Sequence, residues 1–310
     1  MMDAAERSLL ADSVRSALDD AADADAALAG VGWPDMLSTE PDDAIAIVFA
    51  ALGRTCGTAS AIDDVVAHAL GASHRARSAV LIPTVLVRAR ASGSAGEIAG
   101  VATSRVLVAD ELLTLCDGTA CSMAVGDAEV EPLGGIDPDA RLHSVRADRT
   151  SLSQVGREGA AADAVALSQR AIAHQISGAC RTMLDLAREH ALTRVQFGRP
   201  VARFQAVRHR LAEALVAVEA LDAVLDAARD APGVLTAQLA KAHAGRTARS
   251  VSAHCQQVLA GFGFTTEHPF HRYLKRTMLL DTLFGSSDDL LVGIGHTLLA
   301  QRAVPTLIEL

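Results

Sequence analysis

The 310 residues are enough for one to three structural units, and half are hydrophobic by type, so a folded core is expected. With 37 Asp+Glu against 28 Lys+Arg the net charge is −9, which excludes a general nucleic-acid binder. No apolar run approaches the roughly 20 residues of a membrane span, and the acid-bearing start MMDAAERSLLADSV does not read as a signal peptide. Five scattered cysteines (Cys56, Cys116, Cys121, Cys180, Cys255) form no CxxC and read as reduced thiols of a cytoplasmic protein.

Residues 1–75 read as helices. Leu9, Leu10, Val14 and Leu18 recur at helical spacing, VGWPDML breaks the pattern, and DDAIAIVFAALGRTCG resumes it with Gly53 as a helix end. Residues 76–150 change texture to short β-branched runs between Gly, Ser and Asp. Val80–Leu86, Gly100–Val108 and Ala120–Val125 read as strands of a small, mostly antiparallel unit. Residues 151–310 return to helix. The first helix carries Val165, Ile172, Ile176, Ala179, Met183 and Leu186 on one face. The second follows Pro200 with Phe204, Val207, Leu211, Leu215, Val218, Leu221 and Leu225, and the third runs from Leu235 to Leu259. The last starts at SSDDLL, where Ser286 and Asp289 have capping-box spacing. Four long amphipathic helices in succession predict an antiparallel bundle. The fold class is therefore mainly α with a small β unit.

One segment stands apart in this acidic chain. Residues 191–210 contain no carboxylate but hold Arg194, Arg199, Arg203, Arg208 and Arg210. Gly198 and Pro200 read as the end of one helix and the start of the next. Arginine's planar fork suits phosphate, and a helix start adds a positive dipole end, so an anion site fits, most simply for a diphosphate. The alternative from chemistry alone is that these arginines pair with acidic faces elsewhere in the chain.

The same segment resembles the signature of the acyl-CoA dehydrogenases, R-x-Q-F-G-x-P-[VI]-x-x-F-Q-x-V-x-H-x-L-A. It is carried by Arg194, Gln196, Phe197, Gly198, Pro200, Phe204, Gln205, Val207, His209, Leu211 and Ala212. QVLAGFGFTTEHPFHRYLKR, residues 257–276, resembles the family's Q-x-L-G-G-x-G-[FY]-x-x-E-x-P stretch, with Ala260 in place of the first Gly. GWP and AIVFAALGR resemble the family's N-terminal helical domain. The resemblance is strong over 160–310 and weak before that. It implies N-terminal helices at 1–75, an abbreviated middle β domain at 76–150 and a C-terminal four-helix bundle at 151–310. It also implies FAD bound across a subunit interface, with Arg194, Gln196 and Phe197 reaching the diphosphate of a neighbouring subunit's FAD. Gln257, Gly261 and Ser287 are carried over as further cofactor contacts.

The chain departs from the family where the chemistry is done. The implied reaction, α,β-dehydrogenation of an acyl-CoA thioester, needs a carboxylate base at Cα. The usual Glu position falls on Gly285, and the position used by a minority of members falls on Ser168. The family's TEP…GSD stretch is not found between 76 and 150, and STEPDD at Ser38–Asp43 lies in the helical region instead. Asp281 is one turn before Gly285 and is a weak substitute base, and Asp288 and Asp289 read as first-turn acids of the last helix. His268 and His271 lack a supporting ligand cluster and read as ordinary histidines. GFGF follows a helix and is no dinucleotide fingerprint.

Three readings follow. The chain is a catalytically incomplete subunit that clamps the FAD of a second acyl-CoA dehydrogenase-like chain, an arrangement resembling actinobacterial heteromers acting on steroid side-chain CoA thioesters. Alternatively, it is a self-sufficient homo-oligomeric flavoenzyme with an atypical base, or a scaffold that has lost FAD. The implied partners are a second subunit or itself, acyl-CoA in fatty acid or steroid degradation, and an electron-transfer flavoprotein as acceptor.

Overall fold

A computed structural model of the chain describes residues 2–19, 21–71, 77–84, 96–116, 118–302 and 304. The first part is helical: α1 (Ala4–Asp19), α2 (Ala24–Gly30), α3 (Trp33–Thr39), α4 (Pro41–Thr55) and α5 (Ala61–Ala69). VGWPDML breaks the pattern as expected, at Val31 and Gly32 between α2 and α3, and restarts it at once, since Gly32 is left-handed at the N-cap and Pro34 sits in the first turn, where its missing N–H costs nothing. STEPDD falls at the α3–α4 junction, with Asp42 paired to Arg170 and Asp43 to Arg7.

The β elements form two small sheets. Strands β1 (Ser78–Leu81), β3 (Glu111–Cys116), β4 (Thr119–Ala124) and β7 (Ser153–Gln154) lie in the order β1-β3-β4-β7. Strands β2 (Glu97–Ala102), β6 (His143–Asp148) and β5 (Ala128–Pro132) lie in the order β2-β6-β5. Among the described residues only β1–β3 pair in parallel; the other pairings are antiparallel. A separate core of Leu81, Ile98, Val106, Leu112, Met123 and Val145 fills this unit. The first two expected strands were drawn too long. Residues 78–81 form a strand followed by isolated bridges at Ile82 and Thr84, residues 85 and 86 lie outside the described residues, and Ser104–Leu107 coils into a 3-10 turn capped by Thr103.

Five helices follow: α6 (Ala160–Thr193), α7 (Gln205–Asp230), α8 (Val234–Leu259), α9 (Phe270–Thr282) and α10 (Ser287–Gln301). Four match the expected long helices, and α9 is a fifth that the sequence reading passed over within the HPFHRYLKR motif. On α10, Ser286 Oγ accepts from Asp289 N at 3.2 Å, as the capping spacing predicts. On α7 the buried stripe is Ala214, Val218, Leu221 and Leu225, whereas Leu215, expected inside, is 46% exposed.

The 34-residue helix α6 is the axle of the molecule, packing against α4, α5, α7, α8 and α9. Its contact with α4 explains Gly53, which is not a helix end. A Cβ on Gly53 would lie 2.0 Å from the Gln175 carbonyl oxygen, and one on Gly178 would lie 2.1 Å from that of Ala50. The helix instead ends at Thr55 with Cys56 left-handed after it. The two backbones touch because glycine leaves room on both sides. Gly178→Ala is therefore expected to destabilise the fold by about 1–3 kcal/mol through overpacking, read by chemical denaturation. Gly293→Ala, where an added Cβ meets nothing within 4 Å, is the matched control and is expected to cost nothing.

Two polar stitches hold the three parts together. Asp63 of α5 is fully buried and accepts from Val80 N at 2.8 Å and Thr103 Oγ1 at 2.5 Å, and burial pushes its carboxyl up to about 7. Arg276 of α9 is 3% exposed. It pairs with Asp137 before the 3-10 turn Pro138–Ala140, and donates to the Gly57 carbonyl at 2.7 Å and the Thr58 hydroxyl at 3.0 Å.

Candidate functional site

The arginine-rich segment folds as a hairpin, Val195–Gln196 against Arg199–Pro200. Phe197 (φ +53°) and Gly198 (φ +74°) form the turn, both left-handed as the tightest hairpin loops require. Gly198 is thus a turn residue and not a helix cap. Pro200 leads into a 3-10 turn at Val201–Arg203, and α7 begins only at Gln205. The sequence signal for helix punctuation and that for a two-residue hairpin are alike here, and the Phe-Gly pair decided the outcome.

Arg194, Gln196 and Phe197 are all exposed, Phe197 by 90%. Among the described residues none of Arg194, Arg199, Arg203, Arg208 and Arg210 forms an ion pair with an acid of the chain. The Arg199 guanidinium lies over the Phe204 ring, 4.4 Å from its centre. The hairpin presents unneutralised guanidinium groups to the outside, which suits an external anion.

The second motif lies beside the first. His190, one turn before Arg194, stacks on Phe262 at 5.8 Å, and Phe262 follows Gly261 at the end of α8. Gln257 and Gly261 are exposed there. His268 packs edge-on against Phe262 at 4.8 Å, and its Nδ1 accepts from Phe270 N. His271 Nδ1 is 2.7 Å from the His268 carbonyl oxygen. Ala260 adopts φ +51°, ψ −137°, glycine territory for a residue that has a Cβ. This is where the sequence reading noted a missing glycine. The backbone keeps a glycine's shape at a cost of about 1–3 kcal/mol. Ala260→Gly is therefore expected to raise the thermal midpoint, with a gain of about 1 kcal/mol in denaturant titrations.

The Gly285 turn is built differently. Gly285 (φ +102°) lies between α9 and α10, and Gln169 of α6, next to Ser168, donates to the Phe284 carbonyl at 2.9 Å. The neighbours of the two positions where a base was sought are therefore bonded to each other, and neither position holds an acid. Ser168 is buried and its hydroxyl donates to Ala164 O of its own helix at 2.7 Å. Phe284, 3% exposed, donates its N–H to Pro83 O at 3.1 Å, and Leu283 pairs with Thr84. The turn is sewn to the β unit. Between these elements a cavity of about 50 Å³ remains, lined by Ile82, Thr103, Ile172, Gln175, Leu280 and Leu283 among others. It has room for a few water-sized molecules.

Lys241 of α8, missed by the sequence reading, closes this region from the other side. It is fully buried, and its Nζ donates to Asp281 O at 2.9 Å and Gly285 O at 3.2 Å, with the Asp281 carboxylate at 3.7 Å. Burial pulls its ammonium down to about 8, opposed by Asp281. Asp281 also accepts from Ser287 N at 3.2 Å and from the Ser287 hydroxyl at 3.0 Å. Asp281 is thereby committed to holding the turn. Ser287, 0% exposed, has its hydroxyl used inside the chain, whereas the other five carried-over contacts are at the surface. Asp288 pairs with Arg249 at 2.9 Å. A lone lysine in the Ala-rich run LTAQLAKAHAG was the available signal for a buried, satisfied cation.

Residues 158–299 match the family described as acyl-CoA dehydrogenase, C-terminal domain. The acyl-CoA dehydrogenase FadE34 of Mycobacterium tuberculosis is 36% identical over 209 residues, covering 64% of this chain and 28% of the relative. The acyl-CoA dehydrogenase IpdE2 of the same organism is 34% identical over 146 residues, covering 47% and 44%. The chain thus spans less than half the length of either relative. In fold it is similar to a chain of the ChsE4-ChsE5 complex from M. tuberculosis, with a TM-score of 0.77 at 21% identity over 99% of both chains. Through its C-terminal helices, residues 158–299, this chain is thus similar to the C-terminal domain of the acyl-CoA dehydrogenases.

Proposed function

We propose that this chain is a subunit of an FAD-dependent acyl-CoA dehydrogenase, that it donates a diphosphate clamp to FAD held mainly by a second subunit, and that it is catalytically incomplete alone. The observation that carries the reading is the pairing of an exposed, acid-free arginine hairpin with a Gly285 turn where neither expected base position holds an acid and the backbone is pinned by Gln169 and Pro83. The hairpin fits the group: unpaired guanidinium donors face outward, with Gln257 and Gly261 on the same end of the bundle. Arg194 and Gln196 would hold the diphosphate, Phe197 would pack beside it, and Gln257 and Gly261 would border it. Ser287 could join them only by releasing Asp281. Bound FAD supplies the hydride acceptor for α,β-dehydrogenation of an acyl-CoA thioester, with an electron-transfer flavoprotein as the implied acceptor.

In this reading the chain divides into N-terminal helices at 1–75, a shortened β domain at 76–150 and a helical bundle at 151–310. Its place of action is the cytoplasm. FadE34 and IpdE2 are named as acyl-CoA dehydrogenases, and the structural relative is a complex of two named components. Together they support a heteromeric assembly.

The test is the visible absorption spectrum of the purified chain, alone and co-expressed with an acyl-CoA dehydrogenase-like partner. The chain alone is expected to be colourless, and the complex to carry less than one FAD per chain. Arg194→Ala is expected to weaken FAD retention by the complex about 10- to 100-fold, the loss of a charge-assisted hydrogen-bonded contact. FAD-dependent turnover by the chain alone, abolished by Arg194→Ala, would overturn the reading.

A further inference from the structure

We propose that His190, stacked on Phe262, is a positioning residue that makes anion capture at Arg194 proton-dependent, an inference that rests on the diphosphate-clamp reading above. His190 occupies the last turn of α6, and its backbone carbonyl accepts from Arg194 N at 2.8 Å. Its ring stacks on Phe262 at an interplanar angle of 25°, and His268 packs edge-on against the same Phe262. Phe262 is the residue after Gly261. The three-ring column is therefore the side-chain link between the hairpin that carries Arg194 and the turn that carries Gln257 and Gly261.

The charges around the column set the direction of the effect. His190 faces Arg194 on its own helix and His268 on the segment after α8. His268 in turn feels His190, His271 and Glu189. Partial burial and the Arg194 charge hold the His190 imidazole below the ordinary histidine range, so it is neutral at pH 7 without a bound anion. A protonated His190 would sit at a helix C-terminus, where the dipole favours a cation, and against an aromatic ring. Protonation costs repulsion from Arg194, and a diphosphate at Arg194 removes that cost. By linkage the anion raises the His190 pKa, and affinity for the anion rises as pH falls. One extra unit charge beside the anion, screened between surface and bulk values, corresponds to roughly three- to tenfold in affinity.

The experiment is the dissociation constant of FAD from the co-expressed complex at about pH 5.5 and 8, with His190 followed by histidine NMR in the full-length chain. FAD suits the measurement because its diphosphate diester keeps two negative charges across that range. Wild type is expected to bind about three- to tenfold tighter at the lower pH. His190→Phe, which keeps the stack and removes the proton, is expected to bind equally at both. Phe262→Ala is expected to return the His190 titration toward the ordinary range. The proposal is overturned if wild type and His190→Phe show the same pH dependence, or if His190 titrates alike with and without Phe262. A complex that binds no FAD at either pH would instead overturn the clamp reading itself, and this inference with it.

Discussion

Arg276→Met is expected to destabilise the chain by about 3–5 kcal/mol, the usual consequence of leaving one partner of a buried ion pair uncompensated. The side chains of Arg276 and Asp137 are 4% and 5% exposed, so water cannot take over. The substitution strands more than one group. Asp137 loses its cation, the Gly57 carbonyl loses its donor, and the Thr58 hydroxyl loses a bond at 3.0 Å. These groups belong to the α4–α5 connection and to the β unit, while Arg276 belongs to α9. The damage therefore falls on the seam between the N-terminal helices, the β unit and the bundle. Differential scanning calorimetry is expected to show a midpoint lowered by roughly 6–15 °C. Adding Asp137→Leu is expected to recover part of the loss, because the stranded carboxylate is then gone, whereas the Gly57 carbonyl stays unpaired. A loss below 1 kcal/mol in the single variant would mean that solvent reaches the seam and that Arg276 is not its fastener.

Much of this architecture was legible in the sequence because it is written in periodicity. The apolar spacings in α6 and α8, and the Ser286–Asp289 cap, are local signals that tertiary packing did not override. What was illegible is non-local. Gly53 looked like a helix end because glycine often is one, and only the approach of the α6 backbone shows why it is there. Strands β5 and β6 were missed because half-buried short strands with Glu, Ser and Arg on their open faces lack a continuous β-branched run, and β3 because its buried residues are mostly Leu, which reads equally well as helix. For the candidate site, residue types and spacing identified the arginine segment, but not whether its charges were already neutralised. That depended on where every acid of the chain ends up. The commitment of Asp281 to Ser287 was invisible for the same reason.

Reinstating the acid by Gly285→Glu is expected to yield no dehydrogenase activity and to destabilise the chain by about 2–4 kcal/mol. Two costs enter. Gly285 has φ +102°, where a side chain is strained by about 1–3 kcal/mol, and a Cβ would lie 3.0 Å from the Leu290 side chain, an overpacking that Leu290 can partly relieve. Backbone strain is therefore the larger share. The functional expectation rests on the surroundings rather than on the residue. The Gly285 carbonyl is held by Lys241, the Phe284 amide by Pro83 and the Phe284 carbonyl by Gln169. A carboxylate added there would find a turn pinned from three directions and a neighbouring cavity of about 50 Å³. Loss of a base alone would leave a cleft that a single substitution repairs, whereas several mutually dependent contacts make the loss cooperative. Acyl-CoA-dependent flavin bleaching by Gly285→Glu in the absence of the partner would show that the cleft is open and only the base is missing. That outcome would favour a self-sufficient enzyme over a clamp-donating subunit.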